Sequence, residues 1–297
     1  MLDMNKKKSE KFFMFFNGAF LILLALICFL PVYHILMLSL SDKSAIAANK
    51  VTLWPVGFQL NAYDRILRNL DFIRAFLVSI GRVITGSILN MVVLVLAAYP
   101  LSLSSKELKG REALMWLLYV PAFFSGGLIP TYIQMSRLGL TNTPWVLIIN
   151  NGIFVMGYAI LLLNFFRNLP KSLAESASID GAGHMRILFY IFIPLSKAAL
   201  ATILLFNMVG LWNEWFTATI YLNDRAWYPL QTYLYNRINI SYDFTNMTRE
   251  QIELAATFDS RTLRAAQIFV STLPIMLVYP FLQKYFMAGI VLGSVKE

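Results

Sequence analysis

Six apolar stretches recur along this chain, at about 13–39, 72–98, 113–135, 143–166, 191–215 and 265–285. Polar residues gather between them rather than alternating within them. A helix needs roughly 20 apolar residues to cross about 30 Å of hydrocarbon. Each stretch therefore predicts a transmembrane helix, which satisfies its own backbone groups in lipid. The predicted fold class is an all-α membrane protein with six transmembrane helices, built as one transmembrane domain over 1–297. Prolines 31, 121, 130, 144, 194, 274 and 280 lie in or beside these stretches. Each removes a backbone hydrogen bond and favours a kink. Packing kinks and broken helices lining a pathway are both open readings.

Composition removes the soluble alternatives. With 58% hydrophobic residues, 14% charged residues and a mean hydropathy of +0.62 over 297 residues, the chain is too apolar for one soluble core. Lys6, Lys7, Lys8 and Lys11 precede the first stretch, and Ala45-Ile46-Ala47 imitates a cleavage site. The apolar run is too long for a signal peptide and predicts an anchor. The net charge of +9 comes with no basic stripe interleaved with aromatics, so no nucleic-acid partner is expected. Lys106, Lys109, Arg111, Arg167, Lys171, Arg186, Lys197, Lys284 and Lys296 fall on the side of the N-terminal lysines. The bias of basic residues toward the cytoplasm places both termini inside, although long outer loops weaken that rule.

The candidate chemistry is defined partly by what is missing. Cys28 is the only cysteine, and His34 and His184 stand far apart in sequence, so neither a disulfide framework nor a metal site is expected. No phosphate-binding glycine loop, serine elbow or His-Glu-x-x-His sequence occurs, so an enzyme is not expected. The spans are nearly free of carboxylates, which argues against proton or sodium coupling. Arg82 and Lys197 are placed near helix ends, where they can snorkel. A basic Arg82 facing a cavity that carries an acidic cargo is the other reading. Trp212, Asn213, Glu214 and Trp215 cluster at the outer end of the fifth stretch. They could stack and hydrogen-bond a sugar, or form an interfacial aromatic belt.

Three polar intervals carry most of the remaining information. The first, 41–71, holds Leu53-Trp54-Pro55 and Asn61-Ala62-Tyr63 and suits a segment at the membrane surface. A second, 222–264, carries Trp227, Tyr228, Tyr233, Tyr235 and Tyr242. It is longer than a connection requires and predicts docking. In the third, 167–190, Ser172 and Glu175 have capping-box spacing, which predicts a short helix starting at Ser172. Leu173, Ala177 and Ile179 would share its apolar face. Asp180-Gly181 supplies a turn, and a second helix begins near His184 and runs toward Pro194. Small residues Ala177, Gly181 and Ala182 would let a partner approach closely. A docking knob and an ordinary surface turn both remain open on this pattern.

Glu175, Ala177, Asp180, Gly181, Ala182 and Pro194 also resemble the signature loop of permease subunits of bacterial ABC importers. Ser176 replaces one alanine of that pattern, and Ala198 stands where many sugar permeases have a second proline. The similarity extends over essentially the whole chain and points to carbohydrate permeases of the maltose type. Residues 125–132 (SGGLIPTY), Leu138-Gly139-Leu140 and 228–234 (YPLQTYL) resemble a subgroup tied to complex or acidic oligosaccharides such as alginate and pectin fragments. The resemblance implies the type I ABC importer permease fold in the bacterial inner membrane. It makes Glu175, Ser176, Ala177, Asp180, Gly181 and Ala182 a coupling helix seated on an ATPase dimer that binds ATP and Mg. Gly289, Gly293 and Lys296 would form a C-terminal ATPase contact. Trp227, Tyr228, Tyr233 and Tyr235 would meet an extracytoplasmic solute-binding protein, and a second, related permease would complete the pore. An ion-coupled carrier and a non-transporting scaffold are the alternatives.

Overall fold

The structure, a computed structural model, describes residues 2–124, 126–239 and 261–294. Every regular element among the described residues is helical. In chain order these are α1 (Leu2–Ser39), α2 (Lys43–Ala47), α3 (Asn61–Arg68), α4 (Leu70–Ser102), α5 (Arg111–Phe123), α6 (Leu128–Arg137), α7 (Val146–Gly152) and α8 (Met156–Arg167). Then follow α9 (Lys171–Ile179), α10 (His184–Leu195), α11 (Lys197–Asn213), α12 (Phe216–Tyr221), α13 (Leu230–Asn239) and α14 (Arg261–Ser294). The chain divides into two compact units, Met1–Leu70 with Ser241–Leu273 and Asp71–Ile240 with Pro274–Glu297.

In the larger unit, α4 buries Ala75, Ser79, Arg82, Gly86, Asn90, Leu94 and Ala98. Steps of three and four residues set these on one stripe. Gly86 occupies the position where a Cβ would lie 2.8 Å from the Leu211 side chain of α11. The glycine admits that leucine. Further along, Leu94, Ala98 and Tyr99 of α4 share a core with Leu162 and Phe166 of α8, Leu188 and Phe192 of α10, and Ile203 of α11. The Phe192 ring takes edge contacts from Tyr99 at 5.0 Å and Phe166 at 5.3 Å between centroids. Such pairs add about 0.5–1.5 kcal/mol to the burial itself.

Three of the six apolar stretches are broken helices rather than single rods. The third comprises α5 and α6, interrupted after Pro121 where Gly127 adopts φ +83°. The fourth comprises α7 and α8, and the fifth comprises α10 and α11, which bend by 80° at Ser196. In α10 a π-helical turn at Leu188–Phe192 runs into Pro194. Proline lacks the N–H for the preceding turn, and a widened turn relieves its ring clash. Helices α1, α4 and α14 are individually long and apolar enough to span a membrane, and the bent pairs α5–α6 and α10–α11 raise the number to as many as five.

The smaller unit contains α1, α2, α3 and the start of α14. Met37 packs with Ala45, Ile46 and Val51. Asp42 caps α2 by accepting hydrogen bonds from the Ser44 amide and hydroxyl.

Candidate functional site

The polar interval 167–190 forms the helix and turn that its sequence predicts, but with a different start and a different inward face. Pro170 occupies the N-cap, α9 begins at Lys171, and no side chain caps it. The Ser172–Glu175 capping box is therefore not formed. Ser172 lies inside the first turn, where its own backbone is already helical, so the helix start is set by Pro170 and its fixed φ. At the other end the Gly181 amide donates to Ser178 O at 3.1 Å and the Ala182 amide to Ala177 O at 2.9 Å. With Gly181 at φ +81°, this is a Schellman closure, which needs a left-handed residue after the helix.

Inward contact falls to Ala174, Ala177 and Ala182, which pack against the core around Phe192. Of the expected apolar face only Ala177 turns inward; Leu173 is exposed and Ile179 is 86% exposed. Glu175, Ser176, Asp180 and Gly181 all lie on the solvent side. A small-residue underside and an exposed polar top make a low ridge fixed to the core. The ridge is also tied laterally, because Tyr99 of α4 hydrogen-bonds His184 Nδ1 at 3.2 Å. Nearby, Glu107 accepts from the Ser104 hydroxyl at 2.6 Å and amide at 2.8 Å. These bonds hold its carboxyl below the usual carboxylate range, with the positive fields of His184 and Lys171 adding to them. Neither Tyr99 nor Glu107 carries a sequence signal for this role, since both reach the ridge only through tertiary contact.

The second constellation contradicts the expected snorkelling of Arg82. This residue sits about 18 Å along α4 from its start, is 4% exposed, and bonds inward. Its Nη2 donates to Glu214 Oε2 at 2.6 Å, Nη1 to Glu214 O at 3.0 Å and Nε to Leu147 O at 3.2 Å. Glu214 Oε1 in turn accepts from the Thr217 amide at 2.7 Å, at the start of α12. One guanidinium thus joins α4 to α7 by a hydrogen bond and to the break between α11 and α12 by an ion pair. A buried charge is kept where it is paired and its remaining hydrogen-bonding groups are satisfied. Its place in the sequence gave no sign of this, because the partner is 132 residues away.

The aromatic cluster also splits. Trp212 is buried against Phe76, with ring centroids 5.8 Å apart, and beside it lies an apolar cavity of about 190 Å³ walled in part by Val83, Met208 and Pro274. It is not part of an interfacial belt. Asn213 is exposed. Trp215 stacks on Tyr235 at 3.8 Å, and its carbonyl accepts from Thr232 at 2.8 Å. Tyr233 packs edge-on against Phe72, under the Arg237 guanidinium. Tyr228 is half-buried, with its hydroxyl donating to Leu222 O, whereas Trp227 is exposed. The register of α13 is fixed where the Leu230 amide donates to the buried Ser79 hydroxyl at 2.7 Å. Gly289 and Gly293 lie within α14, with no side-chain surroundings described, and Tyr242 and Lys296 fall outside the described residues.

Comparison with known proteins agrees with this architecture. The chain is 40% identical over 291 residues to the polygalacturonan/rhamnogalacturonan transport system permease protein YtcP of Bacillus subtilis, covering 97% of this chain and 99% of that one. It is 36% identical to protein LplC of the same organism, covering 99% and 98%. Among solved structures it matches a chain of a bacterial ABC transporter involved in the import of the acidic polysaccharide alginate. There the TM-score is 0.83 at 31% identity, covering 94% of this chain and 98% of that one. Residues 11–291 match the family of binding-protein-dependent transport system inner membrane components, and the chain belongs to that family.

Proposed function

We propose that this chain is one half of the pore of an ATP-driven importer of oligosaccharides. The observation that carries the reading is the ridge Glu175–Ala182. It presents exposed polar residues on a small-residue base wedged against the core where α4, α8, α10 and α11 meet. A rigid body pushed there would move all four helices together. In this reading the ridge seats on an ATPase dimer that binds ATP and Mg, and the C-terminal segment with Gly289, Gly293 and Lys296 adds a second contact. Membership of a binding-protein-dependent family supports a solute-binding protein as the donor of cargo, met by the Trp227–Tyr235 region. A second permease completes the pore.

The finer topology belongs to the same proposal. Six passes, with both termini on one side, follow if α7 and α8 in series form the remaining span beside the five candidates, and the bias of basic residues makes that side the cytoplasm of a bacterial inner membrane. The cargo is proposed to be acidic oligosaccharide, supported by the likeness to the alginate importer chain and to the polygalacturonan permease. Asn213 and Trp215 are the proposed sugar contacts. Arg82 acts indirectly, because its charge is already matched by Glu214.

The test is assembly. Co-expressed with the second permease and the ATPase, Asp180→Lys should leave membrane insertion intact and abolish ATPase recovery in a pull-down. Normal recovery would overturn the coupling assignment. Uptake of uronate and neutral oligomers by the reconstituted complex tests the cargo, and equal rates for the two would reject acidic specificity.

A further inference from the structure

The segment after α1 folds back along that helix and shows its apolar side chains outward. Tyr33 donates its hydroxyl to Leu53 O at 2.8 Å, and His34 Nδ1 bonds Thr52 O at 3.2 Å. Tyr33 lies six residues before the end of α1 at Ser39, so residues 52 and 53 sit about 9 Å back along the helix axis. Helix α1 is itself apolar enough to span a membrane. A crossing α1 would therefore bring residues 52 and 53 back to the lipid interface.

The returned segment is held firmly. The Asp42 amide donates to Val56 O at 2.9 Å, the Gln59 amide to Leu40 O at 3.0 Å, and the Val56 amide to Ser41 Oγ at 3.1 Å. Ser39 and Tyr63 hydroxyls bond at 2.6 Å. On this frame Trp54 is 75%, Phe58 65% and Leu53 56% exposed. A pinned backbone that exposes three large apolar side chains together differs from scattered surface hydrophobics. Around them the chain between residues 40 and 69 holds four basic residues, Lys43, Lys50, Arg65 and Arg68, against the acids Asp42 and Asp64. Lys50, Arg65 and Arg68 are exposed; Arg68 pairs with Asp64 at 2.9 Å, a solvent-exposed contact that costs little to exchange for a headgroup.

We propose that residues 50–68 form a phospholipid-binding wedge, with Leu53 and Trp54 among the upper acyl chains, Phe58 at the interface beside them, and Lys50, Arg65 and Arg68 drawing anionic headgroups. Tryptophan suits that level because its ring is apolar and its N–H polar. The nearby cations attract the phosphate groups of anionic lipid by short-range Coulomb attraction, which acts in either leaflet. Depth favours lipid over a water-soluble partner, since residues 52 and 53 are bonded alongside the final turns of α1 and the Val56–Gln59 stretch level with the helix end. This inference requires only that α1 crosses a membrane, so it stands or falls independently of the cargo and the ATPase.

The assembled transporter, reconstituted in nanodiscs, provides the test. Emission of wild type minus that of Trp54→Phe isolates Trp54. In phosphatidylcholine brominated near the headgroup end of its acyl chains, the difference emission should be quenched, and addition of solute-binding protein should not change it. Lys50→Gln with Arg68→Gln should weaken retention of phosphatidylglycerol over phosphatidylcholine by about fivefold per charge removed, as read by lipid analysis of the purified complex. Difference emission insensitive to brominated lipid would overturn the proposal, as would emission that shifts only on binding-protein addition. Quenching without any loss of phosphatidylglycerol in the double variant would overturn its anionic preference.

Discussion

The ridge at Glu175–Ala182 and the node at Arg82–Glu214 treat charge in opposite ways. On the ridge, Glu175 and Asp180 are held in water by a short helix whose underside is alanine. At the node, Arg82 is withdrawn from solvent and its guanidinium spends its donors on Glu214 and a backbone carbonyl of α7. The difference teaches which charges are available to something outside the chain. An exposed carboxylate on a rigid support can be matched by a partner at little desolvation cost. A buried pair, already matched, holds helices together instead, and breaking it is expensive because one member is left behind.

The comparison can be broken most forcefully at the node. Arg82→Ala leaves the part-buried Glu214 carboxylate without its cation and should destabilise the chain by about 3 kcal/mol, seen as a large drop in the thermal midpoint of the detergent-solubilised complex. Arg82→Met combined with Glu214→Leu removes both charges and should recover most of that loss. If the double variant is no more stable than Arg82→Ala, the pair is not what joins α4 to the α11–α12 break.

The ridge should respond locally. A Cβ added at Gly181 meets no neighbouring atom within 4 Å, so the cost of Gly181→Ala is backbone strain at φ +81°, about 1–2 kcal/mol. Hydrogen exchange at the Gly181 and Ala182 amides should accelerate about five- to thirtyfold while the global midpoint hardly moves. A global loss of stability would show the ridge to be part of the core.

The smallest effect concerns pH. The folded-state pKa of Glu107 is depressed, chiefly by its hydrogen bonds to Ser104. Its contribution is therefore present above the unfolded value near 4.5 and is lost as pH falls through the lower folded value. Between pH 6 and the acid limb, the wild type should lose a small stabilisation that Glu107→Gln never has. Parallel midpoint curves for the two proteins across that window would remove Glu107 from the ties around the ridge.

Legibility in the sequence followed the range of the interactions. The apolar stretches were visible because hydrocarbon thickness sets a length that any sequence must meet. The turn at Asp180-Gly181 was visible because glycine answers a local steric need. The N-terminus of α9 was misjudged by one residue, because Ser172 and Glu175 have capping spacing while Pro170 takes the cap position. Leu173 and Ile179 looked like an inward face by polarity alone, yet the alanines face the core. There, close approach to α10 selects small side chains over apolar ones.

By itself the sequence determined that this protein is helical and membrane-bound, and where its polar ridge interrupts the apolar run, since those depend on periodicity, length and local backbone chemistry. Only the tertiary structure decided that Arg82 answers Glu214 across 132 residues, that Trp212 lies inside while Trp54 lies outside, and that the fifth stretch bends by 80° at Ser196. Pairing and burial are properties of distances between remote parts of a chain, and a linear sequence does not carry those distances.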